Sequence, residues 1–321
     1  DELVARVCAT ALTDWIGRRR GQEYLMACGT AVELPRDSRL QGQEWLAIAE
    51  VSRVGQRALI RLAAPLSEET AHDIADGLMS ESTEATWTKG RVSATKVRRL
   101  GAIELARTPV RPTREEGARA VAHALRTEGL EAVIGWNESV ESLRRRLVLL
   151  RHEQGDPWPA VDLESLAREA DHWLGPELAA LAEGGSRHRI DLTAALRRLL
   201  PWPEAARLDE LVPERLEVPT GSRIRLEYPA DPGDRVVLAV KLQECFGLLQ
   251  TPRLVNGRVP VLMHLLSPAG RPLAVTDDLA SFWTNAYAQV RAENRGRYSK
   301  HPWPEDPLTA PPRRGTTRSG R

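Results

Sequence analysis

The 321-residue chain has no apolar run approaching the 18 or so residues that a membrane-spanning helix needs, because a charge interrupts each one. No basic-then-apolar leader opens it, and no membrane partner is expected. Cysteine is scarce. Cys8, Cys28 and Cys245 are odd in number, scattered and without CxxC spacing. That argues against a disulfide framework and a zinc knuckle, and makes a reducing cytoplasm the expected compartment. Lysine is also scarce. Lys89, Lys96, Lys241 and Lys300 are the only four among 45 basic residues, so the other 41 are arginines. A GC-rich coding bias accounts for so general an excess, although arginine does suit bidentate phosphate contacts. With 44 acidic residues the net charge is +1. Basic surface is therefore not global, and any nucleic-acid footprint must be local.

Catalytic signatures are missing too. There is no GxxxxGK[ST] phosphate cradle, no DEAH-like run, no HExxH and no GxSxG. The seven histidines stand apart, without HxH or HxxxH spacing, so no metal site is expected. Asp171 and His172 adjoin, but neighbours on a helix diverge by 100° and cannot face each other. Glu115, Glu116, Asp277 and Asp278 sit at helix starts, where they complement the dipole. No residue is assigned a catalytic role.

What is present reads as α+β, with two or three domains at roughly 100–200 residues each. Residues 2–16 have the pattern of a helix already in progress, as in a piece of something longer, and it is expected to run to Arg18-Arg19-Arg20-Gly21. There Gly21 would end it and the arginines would complement its dipole or contact phosphate. Residues 22–110 alternate as short strands at 24–28, 45–51, 57–63, 85–87, 91–97 and 102–107, with a helix capped by Ser67 between them. Several short strands around one helix fit an oligonucleotide-binding (OB)-like barrel. Residues 111–212 read as helical, opening on the capping box Thr113–Glu116. Leucines and tryptophans there are expected in the core. Residues 213–308 mix strands with a final helix. A hairpin is expected between 223–228 and 235–241, and one long strand at 259–266. Residues 309–321 form a basic tail expected to be disordered.

Two segments carry concentrated chemistry. Residues 88–100 hold Lys89, Arg91, Lys96, Arg98 and Arg99 with no acid. Beside Trp87, such a run suits a groove for single-stranded nucleic acid. It equally suits an edge strand on which positive charge blocks pairing. Arg18, Arg19 and Arg20 add a second basic cluster. Near the C-terminus, Tyr298, Lys300, His301, Trp303 and Asp306 crowd among prolines. The segment reads as a strap across the last domain, or as a ligand site using Lys300 and His301.

Several stretches resemble one family. They are PTGSRIRLEY at 219–228, LAVKLQECFG at 238–247, TPR at 251–253, RVPVLMHLLSP at 258–268, DLASFW at 278–283 and RYSKHPWPEDP at 297–307. Upstream are YLMACG at 24–29, WLAIA at 45–49, RLAAP at 61–65, VRRLG at 97–101 and LLPW at 199–202. Together they resemble the C-terminal region of the bacterial HrpB-type DExH-box ATP-dependent RNA helicases. The resemblance implies that residues 1–21 end a helical bundle, that 22–110 are OB-like, and that 213–308 are the family's C-terminal module. It implies ATP and Mg for the parent helicase, bound by core domains in cis. This chain, lacking the Walker and DExH motifs, would be inactive alone. It places Arg98 and Arg99 near single-stranded RNA or DNA. The alternative is a protein-interaction module, residues 213–321, with a protein partner and no nucleic-acid role.

Overall fold

The computed structural model describes residues 2–55 and 57–315. They form two compact units, Asp1–Gly135 with Pro176–Ile190, and Trp136–Gly175 with Asp191–Arg321.

The first unit opens with helix α1 (Glu2–Ala11), followed by strands β1 (Ile16–Arg20), β2 (Glu23–Met26), β3 (Ala31–Glu33), β4 (Trp45–Val54) and β5 (Arg57–Leu66). The five strands close into a barrel in the order β1-β2-β3-β5-β4, with β3 meeting β5 in parallel at Glu33 and Leu59. Tyr24, Met26, Val32, Leu46, Ile48 and Ile60 pack together as one of its cores. The opening helix therefore stops at Ala11, and the arginine triplet lies on a strand. Gly17 explains part of this. It is a poor helix residue, and a Cβ there would press within 2.8 Å of Ile48 Cδ1. Gly21 has φ +66° but turns β1 into β2, pairing Arg20 with Glu23.

Helix α2 (Glu68–Ile74) follows, its N-terminus capped by the Ser67 hydroxyl, which accepts from the Thr70 N–H at 3.1 Å. The strands expected to complete the barrel instead build a separate antiparallel sheet, β6 (Met79–Thr88), β7 (Arg91–Leu100) and β8 (Ile103–Val110), with β7 in the centre. The barrel had already closed with β1 and β3. The β7–β8 turn docks on the barrel, where Ala102 N–H donates to Ala27 O at 2.8 Å. Leu100 and Ile103 share a core there with Ile16, Trp45 and the buried face of α1. Helix α3 (Arg114–Glu128) opens on the expected capping box, and α4 (Leu130–Ile134) follows.

The chain then passes through α5 (Glu138–Gln154), α6 (Leu163–Arg168) and α7 (Ala170–Trp173) of the second unit. It contributes α8 (Gly175–Ala182), which lies almost wholly in the first unit, then returns through α9 (Leu192–Arg197) and α10 (Leu208–Leu211) to the second. Residues 163–173 form two short helices parted at Glu169. Strands β9 (Arg215–Glu217) and β10 (Arg223–Arg225) pair with each other, β11 (Val237–Lys241) with none of them as a ladder. The expected hairpin shrinks to one bridge, Glu227 to Val237. The stretch at 259–266 breaks at Val261 into β13 (Val259–Pro260), paired with β12 (Arg253–Leu254), and β14 (Leu262–Leu266). β14 pairs in parallel with β11 and antiparallel with β15 (Pro272–Thr276). Helices α11 (Leu279–Ser281) and α12 (Tyr287–Asn294) flank a π-helical turn and bury Phe282, Trp283 and Tyr287 around Phe246.

Ion pairs anchor α5. Glu141 accepts from Arg144, Arg145 and the Trp136 indole N–H at 2.7–3.1 Å. These partners, Arg144 first, push its carboxyl down to about 2. A folded-state value below the unfolded one stabilises above the ordinary carboxylate range and is lost as pH falls toward 2. Denaturant titrations should show wild type more stable than Glu141→Gln at pH 6, with the gap closing as pH drops to about 2.

Candidate nucleic-acid interface

An arginine-rich hollow lies in the first unit, where β1 of the barrel faces the β7–β8 end of the sheet. It is a cleft of about 490 Å³ lined by Arg18, Arg19, Arg20 and Arg99, with Glu44 and Glu104 as its acids. The four arginines are not equivalent. Arg18 stacks over the buried Trp45 ring, 5.3 Å from its centre, and donates to Glu44 at 2.8 Å and to the Glu104 main-chain oxygen at 3.2 Å. Arg99 donates to Ser82 Oγ at 3.1 Å and to Glu84. Arg107 completes a network with Glu84 at 3.2 Å and Glu104 at 3.0 Å. The guanidinium groups hold both carboxyls below their usual range, Arg99 foremost for Glu84 and Arg107 foremost for Glu104. Arg18 and Arg99 thus shape the cleft. Arg19 and Arg20 are exposed, and the Arg19 side chain donates to the nearby Gly21 oxygen at 3.1 Å. Their guanidinium groups are open to an anion.

The basic run at 88–99 does not form one face. Lys89 occupies the β6–β7 turn with φ +54°. Along β7, residues alternate between faces. Lys96 and Arg98 therefore lie on one side, Arg91 and Arg99 on the other. Lys96 is paired with Glu81 at 2.6 Å. The edge-blocking reading also fails, since β7 is the central strand and its charges meet carboxylates across the ladder. Sequence reading missed Glu44, Glu84, Glu104 and Arg107. Taking Lys89-Gly90 as a two-residue turn would have set the β6–β7 register and shown Glu81 on the Lys96 face and Glu84 on the Arg99 face.

In the second unit the segment 298–307 is tied to α12 and to the Phe246 region. Tyr287 Oη donates to Pro304 O at 2.8 Å, Arg291 to Trp303 O at 2.8 Å, and Gly247 N–H to Pro307 O at 3.0 Å. The Trp303 indole N–H donates to Tyr298 O at 3.2 Å, and Asp306 accepts from Leu308 N–H and the Thr309 hydroxyl. Lys300 is exposed, and His301 is partly covered. Burial, then the Lys241 charge, lowers His301's affinity for a proton. Of the tail, residues 316–321 lie outside the described residues. Within 309–315, Arg313 N–H donates to Gln243 O and Arg314 to Thr220 O, both at 3.0 Å. Trp158 and Trp173 are buried, but Trp202 is 83% exposed rather than in the core.

Residues 173–307 match the family described as ATP-dependent helicase C-terminal. The chain is 37% identical over 97% of its length to the ATP-dependent RNA helicase HrpB of Escherichia coli (strain K12), and spans 39% of that relative. Two solved structures are similar. A crystal structure of the E. coli DExH-box NTPase HrpB superposes with a TM-score of 0.57 and 35% identity, over 97% of this chain and 39% of that one. A crystal structure of the Escherichia coli DEAH/RHA helicase HrpB gives 0.50 and 33%, over 94% and 38%. The chain belongs to the HrpB-type helicases and corresponds to their C-terminal region.

Proposed function

We propose that this chain is the accessory C-terminal region of an ATP-dependent RNA helicase and helps to hold single-stranded nucleic acid. In this reading the closed barrel is OB-like, and ATP and Mg belong to core domains in cis. The single observation that carries it is the cleft in which Arg19 and Arg20 stand exposed on a barrel strand beside Arg99. A positive groove following a phosphate backbone is what single-strand binders use. Helix α1 supports the link in cis. Leu3, Val4 and Val7 are exposed on it, an apolar stripe suited to packing against another part of a longer helicase. A reducing cytoplasm suits the three unpaired cysteines. The test is a titration of the chain with a labelled oligonucleotide single strand at low and moderate salt. Binding should weaken steeply as salt rises, because phosphate contacts release counterions. Salt-independent binding, or none at low salt, would overturn the reading.

The alternative of a protein-interaction module is favoured by Leu249 and Val275, both exposed apolar side chains of the second unit. A pull-down that needed those side chains, together with absent oligonucleotide binding, would put it first.

A further inference from the structure

The first unit has a second hollow whose chemistry is opposite to that of the arginine cleft. It is a trough of about 630 Å³ between edge strand β6 and helix α3. One wall is the unbroken strand stretch 83–87, and the other is a continuous α3 stripe that includes Ala120, His123, Ala124 and Thr127.

The backbone of that wall is open. Lys89 and Gly90 have φ +54° and +78°, the pattern of a two-residue type I′ hairpin turn. Thr88 and Arg91 therefore form a hydrogen-bonded pair, and alternate residues back along β6 direct their N–H and C=O groups to β7. Thr83, Ala85 and Trp87 direct theirs outward, and no backbone group among the described residues takes them. The two edges of this sheet also differ. β8 carries Pro109 opposite Thr95, a common protection against added strands. β6 has neither proline nor lysine, and its ten pairs with β7 run without a bulge.

Size and charge define what fits. Ala85, Ala120 and Ala124 leave the trough shallow-floored with small side chains, and five strand residues make it about 17 Å long. Of its acids, Glu84 is taken up by Arg99 and Arg107, which leaves Glu116 and Glu128 against one arginine, Arg119, itself paired with Glu115 at 3.0 Å. The Thr113 hydroxyl and main-chain N–H hold the Glu116 carboxyl below its usual range. A phosphate backbone is repelled here, whereas a cationic side chain is drawn in.

We propose that the trough receives an extended segment of a partner protein, added to β6 as a fourth strand. Small apolar side chains lie on the alanine floor, and Lys or Arg at alternate positions meets Glu116 or Glu128. The trough touches the arginine cleft through the Glu84–Arg99 pair, but it rests on the β6 edge, Glu116 and Glu128, and so can stand if that reading falls.

A randomised heptapeptide library selected against the whole chain tests it. Selected peptides should alternate small apolar with basic residues. The best of them should slow hydrogen exchange at the Thr83, Ala85 and Trp87 amides. Ala85→Pro removes only an outward donor, and Thr127→Trp fills the trough from an exposed helix position. Each should weaken the peptide by about tenfold while oligonucleotide binding is unchanged. If Ala85→Pro fails to fold, Thr127→Trp carries the test alone. Selection that yields no peptide protecting those amides overturns the proposal. So does protection of the same amides by an oligonucleotide.

Discussion

Changing Arg19 and Arg20 together to glutamine should cut single-strand affinity by at least about tenfold near 0.1 M salt, and flatten its salt dependence. For single strands the slope of log K against log salt is about 0.7 per neutralised phosphate, so losing two contacts removes about 1.4. The slope distinguishes a direct contact from a general disturbance, because a partly unfolded protein loses active fraction without changing it. Arg18→Gln is the informative comparison. Arg18 is held by Glu44, by the Glu104 oxygen and by the Trp45 ring, so its loss should lower the unfolding midpoint. Arg19 and Arg20, both exposed, should leave that midpoint within the scatter of surface substitutions, about 0.5 kcal/mol. An unchanged slope in the double variant would remove the cleft from the proposed function.

The contrast between Arg18 and its two neighbours was not legible in the sequence, and the reason is physical. Three consecutive arginines before a glycine fit a helix C-terminus and a strand entering a tight turn equally well. Both endings use a glycine with positive φ, as Gly21 has. What decides is whether Ile16 and Gly17 pack into a barrel whose other strands lie further along the chain, and local pattern does not carry that. Local rules read well where the partners are local. The Ser67 cap and the Thr113–Glu116 box are both in place, because each is complete within four residues. Pairing across distance was lost. The parallel contact of β11 with β14 joins residues 25 apart, from Val237 and Leu262 onward, so the nearer Arg223–Tyr228 segment looked like the partner. Trp202 was lost for another reason. A tryptophan beside a leucine run looks like core, but Pro201 and Pro203 stop the helix. The turn closed by Ala205 N–H to Pro201 O leaves the ring outside. The family resemblance reached further than any of these, because it rests on stretches of sequence that need no assignment of strands.

Gly117→Ala should be strongly damaging to the first unit. Alanine normally favours a helix over glycine by about 1 kcal/mol, so propensity alone says the change stabilises α3. Packing says the reverse. At Gly117 a Cβ would run into the main-chain oxygen and carbonyl carbon of Ala182, the last residue of α8. A carbonyl in a helix end cannot swing aside as a side-chain tip can, so α3 and α8 would have to separate. Overpacking of this kind costs about 1–3 kcal/mol and sometimes more, and Ala120, Val121 and Ala124 are buried along the same helix. The expected net loss is about 2 kcal/mol, read as a lowered denaturant midpoint with an unchanged slope. Gly77→Ala is the control, since nothing lies within 4 Å of a Cβ there, and it should shift stability by less than about 0.5 kcal/mol. Equal midpoints for the two variants would mean that α8 does not cross α3 so closely. A lowered midpoint for Gly117→Ala alone would show that residues 176–190, distant in sequence, are fastened to the first unit by a contact only glycine permits.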